Sequence, residues 1–222
     1  MKDLKDLDLF AFTSTGLQSQ YINKAQSTII DAFKKLNHHP KNVLTINESW
    51  ASIALRDQGL DVSTVSEIKA DSKFDTILML DESVCKYPSE NTQKQDILKM
   101  LSYLDTNGKA FFSFRDFRNG NYHRRPLGDT VINTIDGEDF VTLEINEQIG
   151  HDKQAWNQKM YLIKNHNEFS TIDCGQRRTL YFKQLAKYSF DAGFTDFGVF
   201  KELFWKGTWR RTPEHIAWIS KK

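Results

Sequence analysis

The chain has 222 residues with 30 basic against 29 acidic side chains, a net charge of +1, so it exerts no global pull on nucleic acid or an anionic membrane. Its length suits one well-buried core, and 13% aromatic residues, 16 of them Phe, make that core or a pocket rich in rings. Cys85 and Cys174 form no C-x-x-C pair and no disulfide framework, which points to a reducing, cytoplasmic setting, and the N-terminus MKDLKDLDLFAF alternates charge with leucine, unlike a signal peptide or a membrane span.

Taken in order, Leu17 to Leu36 is a predicted helix, with Tyr21, Ile22, Ala25, Ile29, Ile30, Ala32 and Phe33 as its apolar stripe. Asn37-His38-His39-Pro40 stops it, and His38-His39 reads as an exposed turn. Asn42 to Ile46 is a strand. Asn47-Glu48-Ser49 then opens a helix through about Arg56, with Ser49 or Asn47 as the N-cap. Gln58-Gly59 closes it, and Leu60 to Val65 is another strand.

Phe74 to Leu80 is a short apolar run with almost no polar relief, as expected of a strand buried on both faces, and Asp81-Glu82-Ser83 ends it. Ile97, Leu98, Leu101 and Leu104 recur at helical spacing. Asn107-Gly108 is a stop and a tight turn, and Lys109 to Phe114 is a second apolar strand. Strand, helix and strand here make a crossover with parallel strands. Helices and strands therefore alternate up to position 116, which means α/β with a mostly parallel sheet.

The second half reads differently. Val131 to Ile135, Asp139 to Glu147, Gln158 to Ile163 and Phe169 to Asp173 are strands, joined by turns at Asp136-Gly137, His151-Asp152 and Lys164 to Glu168. Glu144 and Glu147 sit at an odd offset, so they are not a carboxylate pair. Arg178 to Ala192 is a helix carrying Leu180, Phe182, Leu185, Tyr188 and Phe190. Phe194 to Phe204 and His215 to Ile219 form a closing antiparallel pair.

Ligands of open parallel sheets sit beyond the carboxyl ends of the strands. Those ends carry Asn47 and Glu48, Asp81 and Glu82, and Arg115 and Asp116. Asn and Asp also suit helix caps, so each polar strand end has a structural reading beside the functional one. Arg115, Arg118 and Arg125 have the chemistry to hold a carboxylate or phosphate, and His123 that of a general base. None of the six histidines has metal-ligand spacing, so no metal is expected.

This order resembles the class I S-adenosylmethionine-dependent methyltransferases over most of the chain. NVLTI stands where that family has its first strand, and KFDTILMLDESV resembles its fourth-strand segment. DILKMLSYLDTNGKAFFSFRDF is similar to its helix-turn-strand, and LAKYSFDAGFTDFGVF to its last helix and exit. The resemblance implies a Rossmann-like α/β fold in a single domain: an N-terminal helix at 17–40, a Rossmann-like half at 41–116, an antiparallel insertion or lid at 117–177, and a last helix and hairpin at 178–222. It implies S-adenosylmethionine as cofactor, held by Thr45, Asn47, Glu48, Asp81 and Glu82, and a small-molecule substrate met by Arg115, Asp116, His123 and Arg125.

Two departures stand out. The family's glycine-rich loop is replaced by Thr45-Ile46-Asn47-Glu48-Ser49-Trp50, and no glycine occurs between Gly16 and Gly59. The stretch from Asn47 to Phe74 has room for one strand-helix unit where the family places two, so the acid that grips the cofactor ribose loses its strand; Ser66 or Glu67 stands nearby. The expected function is methyl transfer from S-adenosylmethionine to a small molecule. The competing class is a non-catalytic member of the fold, a pseudoenzyme acting as a binding or assembly module, with the insertion as a homo-oligomer interface. A third reading takes Lys201, Trp205, Lys206, Trp209, Arg210, Arg211, Lys221 and Lys222 as a nucleic-acid surface, against which the balanced charge argues.

Overall fold

A computed structural model describes residues 18–46, 50–80, 83–114, 130–135, 138–152, 154–164, 168–205 and 214–220. Its helices are α1 (Gln18–Lys35), α2 (Trp50–Asp57), α3 (Glu90–Ser102) and α4 (Phe182–Asp191). Strands β1 (Asn42–Thr45), β2 (Asp61–Thr64), β3 (Phe74–Met79), β4 (Leu104–Phe114), β9 (Asp196–Trp205) and β10 (Glu214–Ser220) form one six-stranded sheet in the order β2-β1-β3-β4-β10-β9. β1 runs parallel to β2 and β3, and β3 to β4; β10 is antiparallel to β4 and β9. Strands β5 (Thr130–Ile135), β6 (Glu138–Gln148), β7 (Ala155–Lys164) and β8 (Glu168–Arg178) make a second, antiparallel sheet of four.

The apolar runs of β1, β3 and β4 follow from burial on both faces. Val43, Leu78, Phe111 and Ile216 turn to one side, where Ile29, Ala32 and Phe33 of α1 and Ala51 and Leu55 of α2 meet them. Leu44, Met79, Phe112 and Ala217 turn to the other, under Ile97, Met100 and Leu101 of α3 and Leu185 and Tyr188 of α4. Each consecutive pair splits between the faces because side chains alternate along a strand. Truncating Phe111 or Phe112 to Ala would cost about 3–5 kcal/mol.

Three elements differ from the sequence reading. Leu104 belongs to β4 and not to the end of α3: Phe74 pairs with Leu104 and Thr76 with Lys109, so Asp105 to Gly108 bulge out of the ladder, with Asn107 at φ 65°. Strand β8 runs on to Arg178, which pairs with Ala155, and the following helix starts only at Phe182. The ladder outcompetes helical spacing there because Thr179 N–H extends it to the Gln154 carbonyl at 2.8 Å. Phe190, counted in the apolar stripe of α4, is 71% exposed.

Between β1 and β3 the described residues hold one helix, one strand and a 3-10 turn at Val65–Glu67, so the sheet is one strand-helix unit short on that side. β2 is thereby an edge strand, and its free side is blocked. Arg56 donates through Nε and Nη2 to the Val62 carbonyl at 3.2 and 3.0 Å, and Thr64 N–H is taken by Glu67 Oε2 at 2.7 Å. Alternate strand residues present their backbone groups to the same edge. With Thr64 N–H held by a side chain, that edge faces away from β1. Side chains thus occupy groups that a further strand would have paired.

Candidate functional site

The chain passes from β1 through α2 to β2 on one side of β1, then crosses to β3 on its other side. Strand order reverses at β1, and such a reversal opens a crevice beyond the carboxyl ends of the two diverging strands. Thr45 is the last residue of β1 and pairs with Thr64 and Leu78. Beyond β3, Ser83–Cys85 form a 3-10 turn, and the Ser83 N–H donates back to the Leu80 carbonyl at 3.1 Å.

Thr45 and Ser83 are 2% and 6% exposed. Among the described residues neither hydroxyl has a hydrogen-bond partner. Buried hydroxyls are normally satisfied, so two orphans at the ends of the diverging strands are suited to a polar ligand. Ser83 was not singled out by sequence reasoning; its only signal was position, directly after Asp81-Glu82.

Of the nine residues expected from sequence to contact cofactor or substrate, Thr45 stands at the crevice. Asn47, Glu48, Asp81, Glu82, Arg115, Asp116, His123 and Arg125 lie outside the described residues. So do Arg118, Lys206, Trp209, Arg210, Arg211, Lys221 and Lys222, and the turn at Asp136-Gly137. Ser66 and Glu67, beyond β2, both turn back on Thr64: Ser66 Oγ lies 2.9 Å from Thr64 Oγ1, which also donates to Glu67 Oε2 at 2.9 Å. The Thr64 N–H and hydroxyl hold the Glu67 carboxyl below its ordinary range.

A second polar cluster joins the antiparallel sheet to this end of the main sheet. Gln93 of α3 is fully buried; its Nε2 donates to the Val84 carbonyl at 2.7 Å and to the Arg178 carbonyl at 3.2 Å. Arg178 donates to Asp152 at 2.8 Å and lies 3.9 Å from Glu90. Glu90 accepts the Tyr188 hydroxyl at 2.8 Å and Gln184 Nε2 at 3.3 Å, and Gln154 Nε2 donates to Gln184 at 2.8 Å. Burial, then the bond to Glu90, raises the Tyr188 pKa, so its hydroxyl stays protonated. The Gln154 N–H, then Arg178, hold the Asp152 carboxyl below its ordinary range. Tyr87, just past the turn, is pushed up to about 12 by burial and by Asp96 and Cys85.

His38 is not in an exposed turn. It lies at the opposite, amino end of the strands, with ring centroids 5.7 Å from Phe33 and 5.9 Å from Phe111. The Thr76 hydroxyl gives its hydrogen to Asp75 at 2.7 Å, so His38 Nε2 is the donor to Thr76 Oγ1, also at 2.7 Å. His39 is exposed as expected.

No family model and no curated protein matches the chain. Solved structures do. A S-adenosylmethionine-bound amino pentose methyltransferase of calicheamicin biosynthesis from Micromonospora echinaspora superposes with a TM-score of 0.64 at 9% identity, over 92% of this chain and 92% of that one. A sugar N-methyltransferase from Streptoalloteichus gives 0.63 at 8% identity, over 93% of this chain and 90% of that one. A S-adenosylmethionine-dependent methyltransferase from Clostridium acetobutylicum gives 0.58 at 12% identity, over 90% of this chain and 92% of that one. The chain therefore has the class I methyltransferase fold, with a mostly parallel Rossmann-like sheet and a separate antiparallel sheet. Among the described residues no helix is long and apolar enough to cross a membrane.

Proposed function

We propose that the chain binds S-adenosylmethionine at the carboxyl ends of β1 and β3 and methylates a small molecule accepted beside the β5–β8 sheet. The observation that carries this is the pair of orphan hydroxyls, Thr45 Oγ1 and Ser83 Oγ, at the point where strand order reverses. Hydroxyls there, with the carboxylates of Glu48, Asp81 and Glu82 next in the chain, are the hydrogen-bond acceptors that a cationic amine and ribose hydroxyls require. The neighbours in fold act on a sugar and an amino pentose, which supports a small polar acceptor.

When bound, the cofactor supplies a sulfonium methyl group that an acceptor nitrogen or oxygen can attack, the carbon–sulfur bond breaking with its electron pair left on sulfur. The chain's part is mainly alignment, which needs no catalytic triad. Arg115, Asp116, His123 and Arg125 follow β4, where the substrate would lie; His123 is the group suited to take the acceptor's proton. Incubation with methyl-labelled S-adenosylmethionine and a panel of amino sugars and small amines tests this: label on an acceptor, lost in His123→Ala or Asp81→Ala, is expected. No transfer to any acceptor, with no cofactor binding, would sink the reading.

The second reading, a non-catalytic binding module, is favoured by one observation. Ser66 and Glu67, the available replacements for the ribose acid, are tied to Thr64. That reading expects a stable chain with no affinity for S-adenosylhomocysteine.

A further inference from the structure

The nitrogen of Gln93 bridges two chain segments that are far apart in sequence. One acceptor, Val84 O, is in the turn that directly follows Asp81-Glu82; the other, Arg178 O, is the last carbonyl of β8, where the antiparallel sheet hands the chain back. The orientation of the amide is fixed by chemistry: turned over, its oxygen would face two carbonyl oxygens. The β8 end is anchored independently, because Arg178 is also held by Asp152 at 2.8 Å and faces Glu90 at 3.9 Å, with its side chain only 11% exposed.

We propose that Gln93 is a positioning residue that ties the segment after β3 to the exit of β8. Resting on the methyltransferase reading, this makes cofactor affinity depend on how the antiparallel sheet is anchored: Gln93 touches neither ligand but holds the backbone that carries the cofactor contacts. Only a neutral side chain with two N–H donors serves both carbonyls. An ionised carboxylate of the same shape repels both, and a leucine of similar size leaves both without a donor.

The test uses the full chain as wild type, Gln93→Leu and Gln93→Glu. Amide hydrogen exchange is followed without ligand, and S-adenosylhomocysteine is titrated calorimetrically, each at pH 8 and pH 5. Gln93→Leu should speed exchange at 83–87 by about tenfold or more while α1, on the far face, keeps its protection, and weaken ligand binding by about tenfold. Gln93→Glu should show the same loss at pH 8 and regain part of it at pH 5, where the protonated carboxyl donates one bond. Glu90, Asp152 and Arg178 face the same joint, so wild type at both pH values is the control for them. If Gln93→Leu does not fold, Gln93→Glu carries the test. Exchange that rises evenly along the chain, or unchanged affinity despite selective loosening of 83–87, overturns the proposal. Should wild type bind no ligand, the methyltransferase reading fails on its own, and selective exchange at 83–87 still decides whether Gln93 ties the two segments.

Discussion

The Tyr188 hydroxyl donates to Glu90 Oε1 across 2.8 Å, joining α4 to the first residue of α3. Glu90 is half exposed, so the bond lies at the low end for a charged acceptor. Tyr188→Phe keeps the ring beneath the Lys94 ammonium, 5.4 Å from its centroid, and removes only the donor. Unfolding by urea should show a loss of about 1 kcal/mol, with Gln184 and Arg178 still on Glu90. A loss within error would mean that solvent replaces the bond at no cost.

His38 makes stability depend on pH. Burial first, then Lys109, lowers its pKa from 6.5 to about 4, against the opposing pull of Asp75. Between those values the unfolded chain binds the extra proton and the folded chain does not, so stability is full above pH 6.5 and falls as pH drops towards 4. Discounted for partial exposure of the ring, the loss is about 1–2 kcal/mol. His38→Gln lacks this titration. The difference in urea midpoint between the two proteins should therefore shrink from pH 7 to pH 4.5. A constant difference would contradict the burial of a neutral ring.

Arg56 covers the Val62 carbonyl on the open edge of the sheet. Arg56→Ala should leave the fold intact and expose a pairing edge, which light scattering would detect as association rising with concentration. A variant that stays at wild-type size at high concentration would show that Glu67 and the shortness of β2 suffice.

Thr45 bears one of the orphan hydroxyls. Thr45→Val removes a buried polar atom that has no partner among the described residues, so stability should rise by about 1 kcal/mol, while affinity for S-adenosylhomocysteine should fall by about tenfold. Thermal unfolding with and without ligand reads both effects at once. Lower stability together with unchanged affinity would mark the hydroxyl as structural.

The parallel half is legible in the sequence because Ile77–Leu80 and Ala110–Phe112 are buried on both faces, and a short apolar run carries that requirement on its surface. The missing strand-helix unit was legible too, as a length. What could not be read was decided by partners distant in the chain. The end of β8 mimicked a helix start because the ladder to Ala155 and Gln154 leaves no periodic mark near Arg178. His38 looked like a surface turn because Phe111 and Thr76, which enclose it, come much later. Gln93 carries no signal of its own in the sequence, because its second acceptor lies 85 residues away. At the site, the strand ends were readable from composition, and Thr45 stands at one of them; that Ser83 is buried without a partner among the described residues depends on packing no spacing rule encodes.

Cofactor binding at the reversal of strand order is tested most directly by calorimetric titration of S-adenosylhomocysteine into wild type, Asp81→Ala and Thr45→Val. Micromolar binding to wild type, abolished in Asp81→Ala and weakened in Thr45→Val, is the expected result. No heat of binding at millimolar ligand, or equal affinity in all three proteins, would contradict a cofactor site at the ends of β1 and β3.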